Sequence, residues 1–411
     1  MLTANLHDDP QPERNPVLRV LLTLPALWAG TLLAVASIAD GVRNSSTRSQ
    51  DMQWSPERLF TRHMDPWAVY LSGDPGHRIL LSQVPNYLHE LYVLLLPLGW
   101  LSFSDAKILW ALCNLALMMM SCACIARLYD LSLRRAWLLF VIFFAGTPAR
   151  VVLGNGQMTA LVLACFALWA LEQSSRARGL LLGLSYAKYS VAPPLALFLL
   201  LRRRWRLLAY SALPPLASLG FVFFWLRTTP LRVLLLEPFL VATNGNVSPG
   251  LANIMIVSNI FLRRPPLFHP APDAVYLAPR AHWIELAPYL CAVALAVALA
   301  VYFFVRDAQT DGRVLLACLT AASLLCFKHP VYDFLLLAFA LALALQAECS
   351  RARNFLLAGI GYFWFVERLM HICRWEFWPA VVLASFVLLL AMIAATWRLR
   401  ASINWRQRWE L

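Results

Sequence analysis

Acidic, basic and aromatic side chains gather in the polar segment 40–87, which separates the first two long apolar runs of the chain. Asp51 lies there within Ser49-Gln50-Asp51-Met52-Gln53-Trp54, and Arg58 follows shortly after. Because a carboxylate can accept a proton from a reacting group, this segment is a candidate for acid–base chemistry. In a chain otherwise rich in apolar runs, such a loop predicts chemistry at a membrane surface.

Further polar side chains stand at the ends of later apolar runs, or within one of them. Ionisable groups at membrane depth are costly and rare, and they are usually functional. The chain has only three lysines among its 35 basic residues, and two of them belong to this set. The set consists of His89, Glu90, Gln157, Lys188, Lys328, His329 and Asp333.

Each candidate also has a purely structural interpretation. Asp51 could be a solvated loop carboxylate, and Lys188 could extend its ammonium from a single span to the interface. Gln157 could cap a helix, and so could Lys328 together with His329. His89 and Glu90 could form a salt bridge. What favours function is that the topology given below brings them to one side of the membrane.

The composition indicates an integral membrane protein. The chain is 60% hydrophobic and only 14% charged, with a mean hydropathy of +0.63. A soluble protein carries roughly 25% charged residues. Continuous apolar runs of about 20 residues are typical of membrane-spanning helices, whereas the strands of a membrane barrel alternate. The sequence therefore predicts an all-α, polytopic helix bundle that forms a single integral-membrane domain over residues 1–411.

The net charge of +13 reports topology and does not indicate nucleic-acid binding. Arginines cluster in short loops between apolar runs, as expected for cytoplasmic loops. No soluble domain is present to carry a basic binding face, so no nucleic-acid partner is expected, and no protein partner can be predicted. Most of the nine cysteines lie inside apolar runs and lack metal-ligand spacing. We expect neither a metal, nor another cofactor, nor a disulfide framework.

The charge asymmetry predicts about ten full spans, with both termini in the cytoplasm. A first extracytoplasmic loop, 40–103, contains interfacial helices, and a second large one covers 227–282. The predicted spans are 17–39, 104–126, 136–153, 158–172, 207–226, 283–305, 314–327, 334–347, 355–366 and 379–397.

The segment 179–201 is long enough for one crossing, yet arginines flank both of its ends. A single crossing would leave Arg202-Arg203-Arg204 outside, against the charge rule. Pro193 and Pro194 interrupt the run near Lys188. We therefore favour a re-entrant hairpin of two half-helices, with a single span as the alternative. Non-helical backbone at that depth requires protein cover or a cavity.

An ordered series of short motifs resembles glycosyltransferase family 87, whose members are integral-membrane enzymes of the GT-C superfold. The resemblance covers about residues 15–340. The matching elements are Gln50-Asp51-Met52-Gln53-Trp54-Ser55-Pro56, Asp65-Pro66-Trp67, Pro85-Asn86-Tyr87 with Pro97 and Trp110, Gly156-Gln157, and the stretch 179–206 with Gly183, Lys188, Pro193 and Arg203-Arg204-Trp205-Arg206.

The resemblance implies a transferase that moves a hexose or pentose, as mannosyl- and arabinosyltransferases do, from a polyprenyl-phosphate donor to a lipid or glycan hydroxyl. It implies an extracytoplasmic site, with Asp51 as general base and inversion at the sugar carbon. Since the leaving group is a lipid phosphate, cations can stabilise it without a general acid. The implied phosphate-binding and substrate-binding residues are Lys188, Lys328, Arg58, His329, Gln157, Glu90, His89 and Asp333.

Two other classes remain open at this stage: a polysaccharide polymerase or ligase, and a transporter of lipid-linked glycans. The polymerase typically has its large outer loop between late spans, and the transporter has internal repeats, which are absent here. The strong preference for arginine over lysine suggests a GC-rich, hence bacterial, genome and a cell-membrane location.

Overall fold

The computed structural model describes residues 16–47, 49, 52–81, 83–227, 252–261, 283–307, 310–327, 329–348, 350–373, 378–401, 403 and 409. All regular secondary structure in these residues is helical, which confirms the predicted class. In chain order the α-helices are α1 (Pro16–Leu21), α2 (Leu24–Thr47), α3 (Trp54–Thr61), α4 (Pro66–Leu71), α5 (His89–Leu94), α6 (Leu96–Gly99), α7 (Phe103–Leu128), α8 (Leu133–Ala145), α9 (Thr147–Asn155), α10 (Thr159–Leu171), α11 (Ser175–Ser185), α12 (Pro193–Leu201), α13 (Trp205–Ser211), α14 (Leu213–Leu226), α15 (Ile254–Phe261), α16 (Trp283–Arg306), α17 (Gly312–Cys326), α18 (Ala338–Gln346), α19 (Arg351–Cys373) and α20 (Trp378–Arg398).

Five helical segments of the described chain are long and apolar enough to cross a membrane. A sixth candidate is the pair α8 and α9, which bends by 57°. The bend falls at Gly146, just before Pro148, where proline cannot continue the hydrogen-bond ladder of α8. The five segments are Leu24–Thr47, Phe103–Leu128, Trp205–Leu226, Ala287–Arg306 and Ala380–Ala401. Ten spans and two cytoplasmic termini therefore stay predictions.

Three of the predicted spans form shorter apolar helices at the centre of the molecule. They are Thr159–Leu171, Gly312–Cys326 and Val331–Gln346, the last made of a 3₁₀ helix (Val331–Leu337) and α18. At about 1.5 Å per residue they are shorter than a hydrocarbon core of about 30 Å. Every residue of α17 is buried. Because these helices are apolar on all sides, they pack among the other helices rather than against lipid.

Residues 175–201 form two helices, α11 and α12, joined through a 3₁₀ turn at Tyr186–Lys188. Gly179 and Gly183 lie one turn apart on the face of α11 that packs on α13, where a Cβ at either position would collide with α13 or the start of α14. Small residues at this spacing let two helices approach closely.

One end of this helix pair contacts Asp307, and the other contacts Trp409, which bonds to Asp311. At one end, the Arg178 guanidinium stacks 5.7 Å from the ring of Trp409, whose backbone N–H donates to Asp311 (3.0 Å). At the other end, Arg202 forms an ion pair with Asp307 (3.0 Å). The segment thus leaves and returns to one end of the helix bundle, with Lys188 near its tip.

The first long loop has an apolar core of its own, built around Phe60, Trp67 and Tyr92. This core also includes Met158 and Ala187, so it packs directly on the start of α10 and on the 3₁₀ turn. Where the sequence predicts interfacial helices in this loop, the structure has short helices, among them α5 and α6, with Pro97 in the first turn of α6. Of the second large loop, only Arg227 and 252–261 lie within the described residues.

Candidate functional site

A buried ion pair joins the tip of the helix pair to the 3₁₀ helix at Val331–Leu337. Lys188 Nζ donates to Asp333 Oδ1 (2.5 Å), and the two side chains are 6% and 1% exposed. The Thr159 hydroxyl at the start of α10 donates to the same carboxylate oxygen, and it accepts from Lys188 Nζ (3.0 Å). Three separate segments therefore converge on one carboxylate.

His329 is the second base of this cluster. Its Nδ1 lies 2.8 Å from Asp333 Oδ2, and the imidazole is completely buried. Because an ionised carboxylate only accepts hydrogen bonds, Nδ1 carries the proton. The other ring nitrogen, Nε2, is buried and has no hydrogen-bond partner among the described residues. An unsatisfied buried nitrogen is rare and calls for a physical explanation.

The cluster of Lys188, His329 and Asp333 has one carboxylate and two bases. Asp333 neutralises Lys188, whose ammonium also lies 4.9 Å from the centre of the Tyr332 ring. When His329 is protonated, one carboxylate faces two cations, and the cluster carries a net positive charge. Since electrostatic interactions are strong where water is excluded, this arrangement can hold an anion at His329 Nε2.

The first loop contacts the turn that precedes Thr159. Ser49 N–H donates to the carbonyl of Gly154 (3.2 Å), and Met52 packs on Gly156, which has a φ of +73°. A Cβ at Gly156 would lie 2.9 Å from the Met52 Cβ, so the close approach needs glycine there. Gln157 follows and is completely buried, while Met158 occupies the N-cap position of α10.

The two predicted residues Asp51 and Lys328 lie outside the described residues. Asp51 stands between Ser49 and Met52 in the sequence, and both of these contact the loop at 154–156. Lys328 immediately precedes His329.

His89 and Glu90 are both buried in α5, but they do not form the salt bridge considered above. His89 Nε2 contacts the carbonyl of Pro215 (3.3 Å). Both carboxyl oxygens of Glu90 are buried, and no described residue offers them a hydrogen bond. Burial raises the pKa of Glu90 to about 8 and lowers the pKa of His89. Two adjacent helical residues point in different directions, which explains why this pair cannot form.

Arg58 contacts the loop rather than the cluster. Its guanidinium donates to the carbonyl of Gly99 (3.0 Å) and lies 5.9 Å from the Trp54 ring centre. Asp65 of the Asp-Pro-Trp element caps α4, because its carboxylate accepts from the backbone N–H of Trp67 and of Ala68. Among the described residues, no group of three or more His, Cys, Asp or Glu could hold a metal ion.

The comparison with protein families decides the class of the protein. The family model described as glycosyltransferase family 87 matches residues 91–330, which is more than half of the chain. The chain belongs to glycosyltransferase family 87. Lys188 and His329 lie inside the matched region of this family 87 member. Comparisons with curated proteins and with solved structures gave no match. The protein is therefore a membrane glycosyltransferase.

Proposed function

We propose that this family 87 member transfers a sugar from a polyprenyl-phosphate donor to a hydroxyl of a lipid or glycan acceptor, on the extracytoplasmic face of the cell membrane. The acceptor oxygen attacks the anomeric carbon while the bond from that carbon to the phosphate oxygen breaks. The acceptor proton passes to a base, and the polyprenyl phosphate leaves. A single displacement of this kind inverts the anomeric centre.

The observation that carries the proposal is the open Nε2 of His329 beside the buried pair of Lys188 and Asp333. A phosphate oxygen is a fitting partner for a protonated imidazole in a dry site. Asp333 fixes the ring, and Lys188 adds a second cation within the same cluster. Lys328, adjacent to His329 in the sequence, would add a third positive charge near the leaving group.

Asp51 remains our choice for the base, because the hydroxyl of a sugar is a poor nucleophile at neutral pH. The support is the position of its neighbours in the chain. Ser49 and Met52 contact the loop at 154–156, and Thr159, which follows this loop, bonds to Asp333. The first loop therefore approaches the cation cluster, by which we mean Lys188, His329 and Asp333. The proposed base has to lie near this cluster, because it acts opposite the leaving phosphate.

The remaining candidates take supporting roles in this proposal. Gln157, buried between the loop and Thr159, and the pair His89 and Glu90 would contact substrate, whereas Arg58 would position α3 against α6. The helix pair of residues 175–201 acts as a re-entrant hairpin that presents Lys188 at membrane depth. The contact of one end with Asp307, and of the other with Trp409, which bonds to Asp311, supports this topology.

The test is sugar transfer from a panel of radiolabelled polyprenyl-phosphate sugars to membrane lipids, at equal expression of each variant. Asp51→Asn is expected to abolish transfer while donor binding persists, and His329→Gln is expected to weaken donor binding. Asp105→Asn is the matched control, since Asp105 is an exposed acid that bonds to Ser102 at the start of α7. Full transfer by Asp51→Asn would remove it as the base. No transfer by the wild type with any donor would refute the proposed donor class.

A further inference from the structure

A second group of buried polar atoms lies in the first loop, around the Tyr92 hydroxyl. We call Gln53, Glu57, Trp67 and Tyr92 the Tyr92 cluster. Tyr92 donates to Gln53 Oε1 (3.0 Å), and its ring meets that of Trp67 edge to face at 5.2 Å. Burial raises the pKa of Tyr92. Gln53 is the N-cap residue of α3, with a left-handed backbone conformation, and the N–H of Glu57 in the first turn donates to its carbonyl (3.1 Å).

Four polar atoms of this cluster have no hydrogen-bond partner within the part of the chain that the structure describes. They are Gln53 Nε2, Trp67 Nε1 and both carboxyl oxygens of Glu57, and all three side chains are completely buried. An unsatisfied buried polar group costs about 1–3 kcal/mol, so a well-packed loop core would not normally contain several together. The cluster is therefore short of a partner that can both donate and accept hydrogen bonds.

The atoms left open restrict the chemistry of that partner. Burial raises the pKa of the Glu57 carboxyl well above its ordinary value and so favours its neutral form. An anion would accept from Gln53 and Trp67, but it would be a buried charge that none of the four side chains could balance. An ammonium group would donate to Glu57, but it has no acceptor for the N–H groups of Gln53 and Trp67. A hydroxyl satisfies all three side chains, since it donates to the carboxyl group and accepts from an N–H. The adjacent aromatic rings of Trp67 and Tyr92 offer apolar surface for the carbon skeleton of a ring bearing such hydroxyls.

We infer that the Tyr92 cluster binds a neutral polyhydroxylated ring of the acceptor. This inference rests on the proposed transfer function. It adds that the charged donor phosphate and the neutral acceptor ring bind at separate places. The phosphate belongs at Lys188 and His329, and the polyol belongs at Gln53, Glu57 and Trp67.

The loop core links the two regions. Trp67 and Tyr92 share that core with Met158 and Ala187, the neighbours of Gln157 and Lys188. A ring bound in the cluster would therefore lie on the loop side of the phosphate-binding residues. Because the cluster is closed in this structure, a ring can enter only if α3 or α4 moves. Binding should then change the hydrogen exchange of the backbone in both helices.

The experiment uses the full chain in lipid nanodiscs and a panel of phosphate-free methyl glycosides of hexoses and pentoses, together with inositol. Binding is followed by saturation-transfer NMR and by hydrogen exchange over residues 53–71. We expect at least one ring to bind, and we expect Glu57→Gln and Trp67→Phe each to weaken it about tenfold or more, as loss of a hydrogen bond to a charged or buried group would. The matched control is Glu172→Gln, because this partly exposed acid lies outside the first loop, at the C-terminal end of α10.

A purely structural role for Glu57 makes the opposite prediction. Because the carboxyl group is buried without a partner, Glu57→Gln should not lower thermal stability, even though it lowers glycoside affinity. A less stable variant with unchanged affinity would overturn the inference. So would the absence of saturable binding by any ring, and water would then be the occupant of the cluster.

Binding of polyprenyl phosphate to the same samples separates this inference from the proposed function. If the glycosides fail while donor binding and transfer persist, the polyol site is wrong and the transferase proposal stands. If the glycosides bind as expected but polyprenyl phosphate does not, the donor assignment is refuted and the polyol site stands. His329→Gln should weaken only polyprenyl phosphate binding.

Discussion

Replacement of Asp333 is the most informative perturbation of the site, because its carboxylate accepts from Lys188, Thr159 and His329 at once. Asp333→Asn keeps the size of the side chain but removes the charge. It leaves the Lys188 ammonium buried and unpaired, and it offers His329 at most an amide oxygen. Lys188→Met is the complementary change, since it leaves Asp333 with two donors and no full counter-charge beyond His329.

The magnitude follows from burial. The two side chains of the pair are only 6% and 1% exposed, so water cannot replace the lost partner. Breaking such a pair on one side typically destabilises a protein by about 3–5 kcal/mol. Replacing both charges by apolar groups is often neutral or stabilising. We therefore expect each single variant to be less stable than the double variant Lys188→Met/Asp333→Asn, in which neither charge of the pair is left without its partner.

The assay is a double-mutant cycle on the free energy of unfolding, measured by detergent-induced unfolding in mixed micelles. Independent sites add to within about 0.5 kcal/mol, and a direct pair does not. Transfer is measured on the same preparations. The double variant should recover stability without recovering transfer, because nothing then orients His329 or supplies the second cation.

The reasoning would be refuted if the two single changes in the free energy of unfolding summed to that of the double variant within about 0.5 kcal/mol. The two charges would then not depend on each other. Recovery of transfer by the double variant would be equally damaging. It would mean that Lys188 and Asp333 support the fold alone and that the phosphate is held elsewhere.

Two further predictions concern the surroundings of the site. Burial raises the pKa of Glu90 from 4.5 to about 8, so between these values the folded protein keeps a proton that the unfolded chain releases. The free energy of unfolding should fall with rising pH across this window, by up to about 1.4 kcal/mol per pH unit, and Glu90→Gln should flatten that part of the profile. An unchanged slope in this variant would contradict the assignment. Gly183→Ala places a Cβ 2.5 Å from the Ser211 carbonyl oxygen, and it should destabilise the protein by about 1–3 kcal/mol. Gly220→Ala is its control, because nothing lies within 4 Å of the added carbon; equal thermal stability of the two variants would argue against close packing of α11 on α13.

The helical class and many helix positions could be read from apolar runs alone. The predicted segments 104–126, 158–172 and 283–305 correspond closely to α7, α10 and α16. Hydropathy does not tell whether an apolar helix faces lipid or protein. For this reason the sequence predicts about ten spans, whereas five or six helical segments of the described chain are long and apolar enough to cross a membrane. The short helices α10 and α17 are apolar because they are buried among other helices, and their length falls below that of an ordinary span.

The members of the cation cluster were identified one by one, but their pairing was not. Lys188 was unusual as a rare lysine within an apolar run, and His329 and Asp333 stood together at the end of another. That Asp333 contacts Lys188 depends on how distant segments pack, which no local pattern reports. Thr159 was missed because a threonine inside an apolar helix has no distinguishing signal. No sequence signal set Glu57 apart from the other charged residues of the polar segment 40–87.

The charge balance of the cluster is also what sugar transfer from a lipid phosphate would require. In the proposed transfer the phosphate would change from a diester to a monoester and gain negative charge, so its stabilisation would have to grow along the reaction. Lys188 is already neutralised by Asp333 in the resting protein. His329 still has an open nitrogen aimed away from that carboxylate. A protonated His329 would therefore add attraction where the new charge develops, while Asp333 keeps the cluster from becoming too positive to fold.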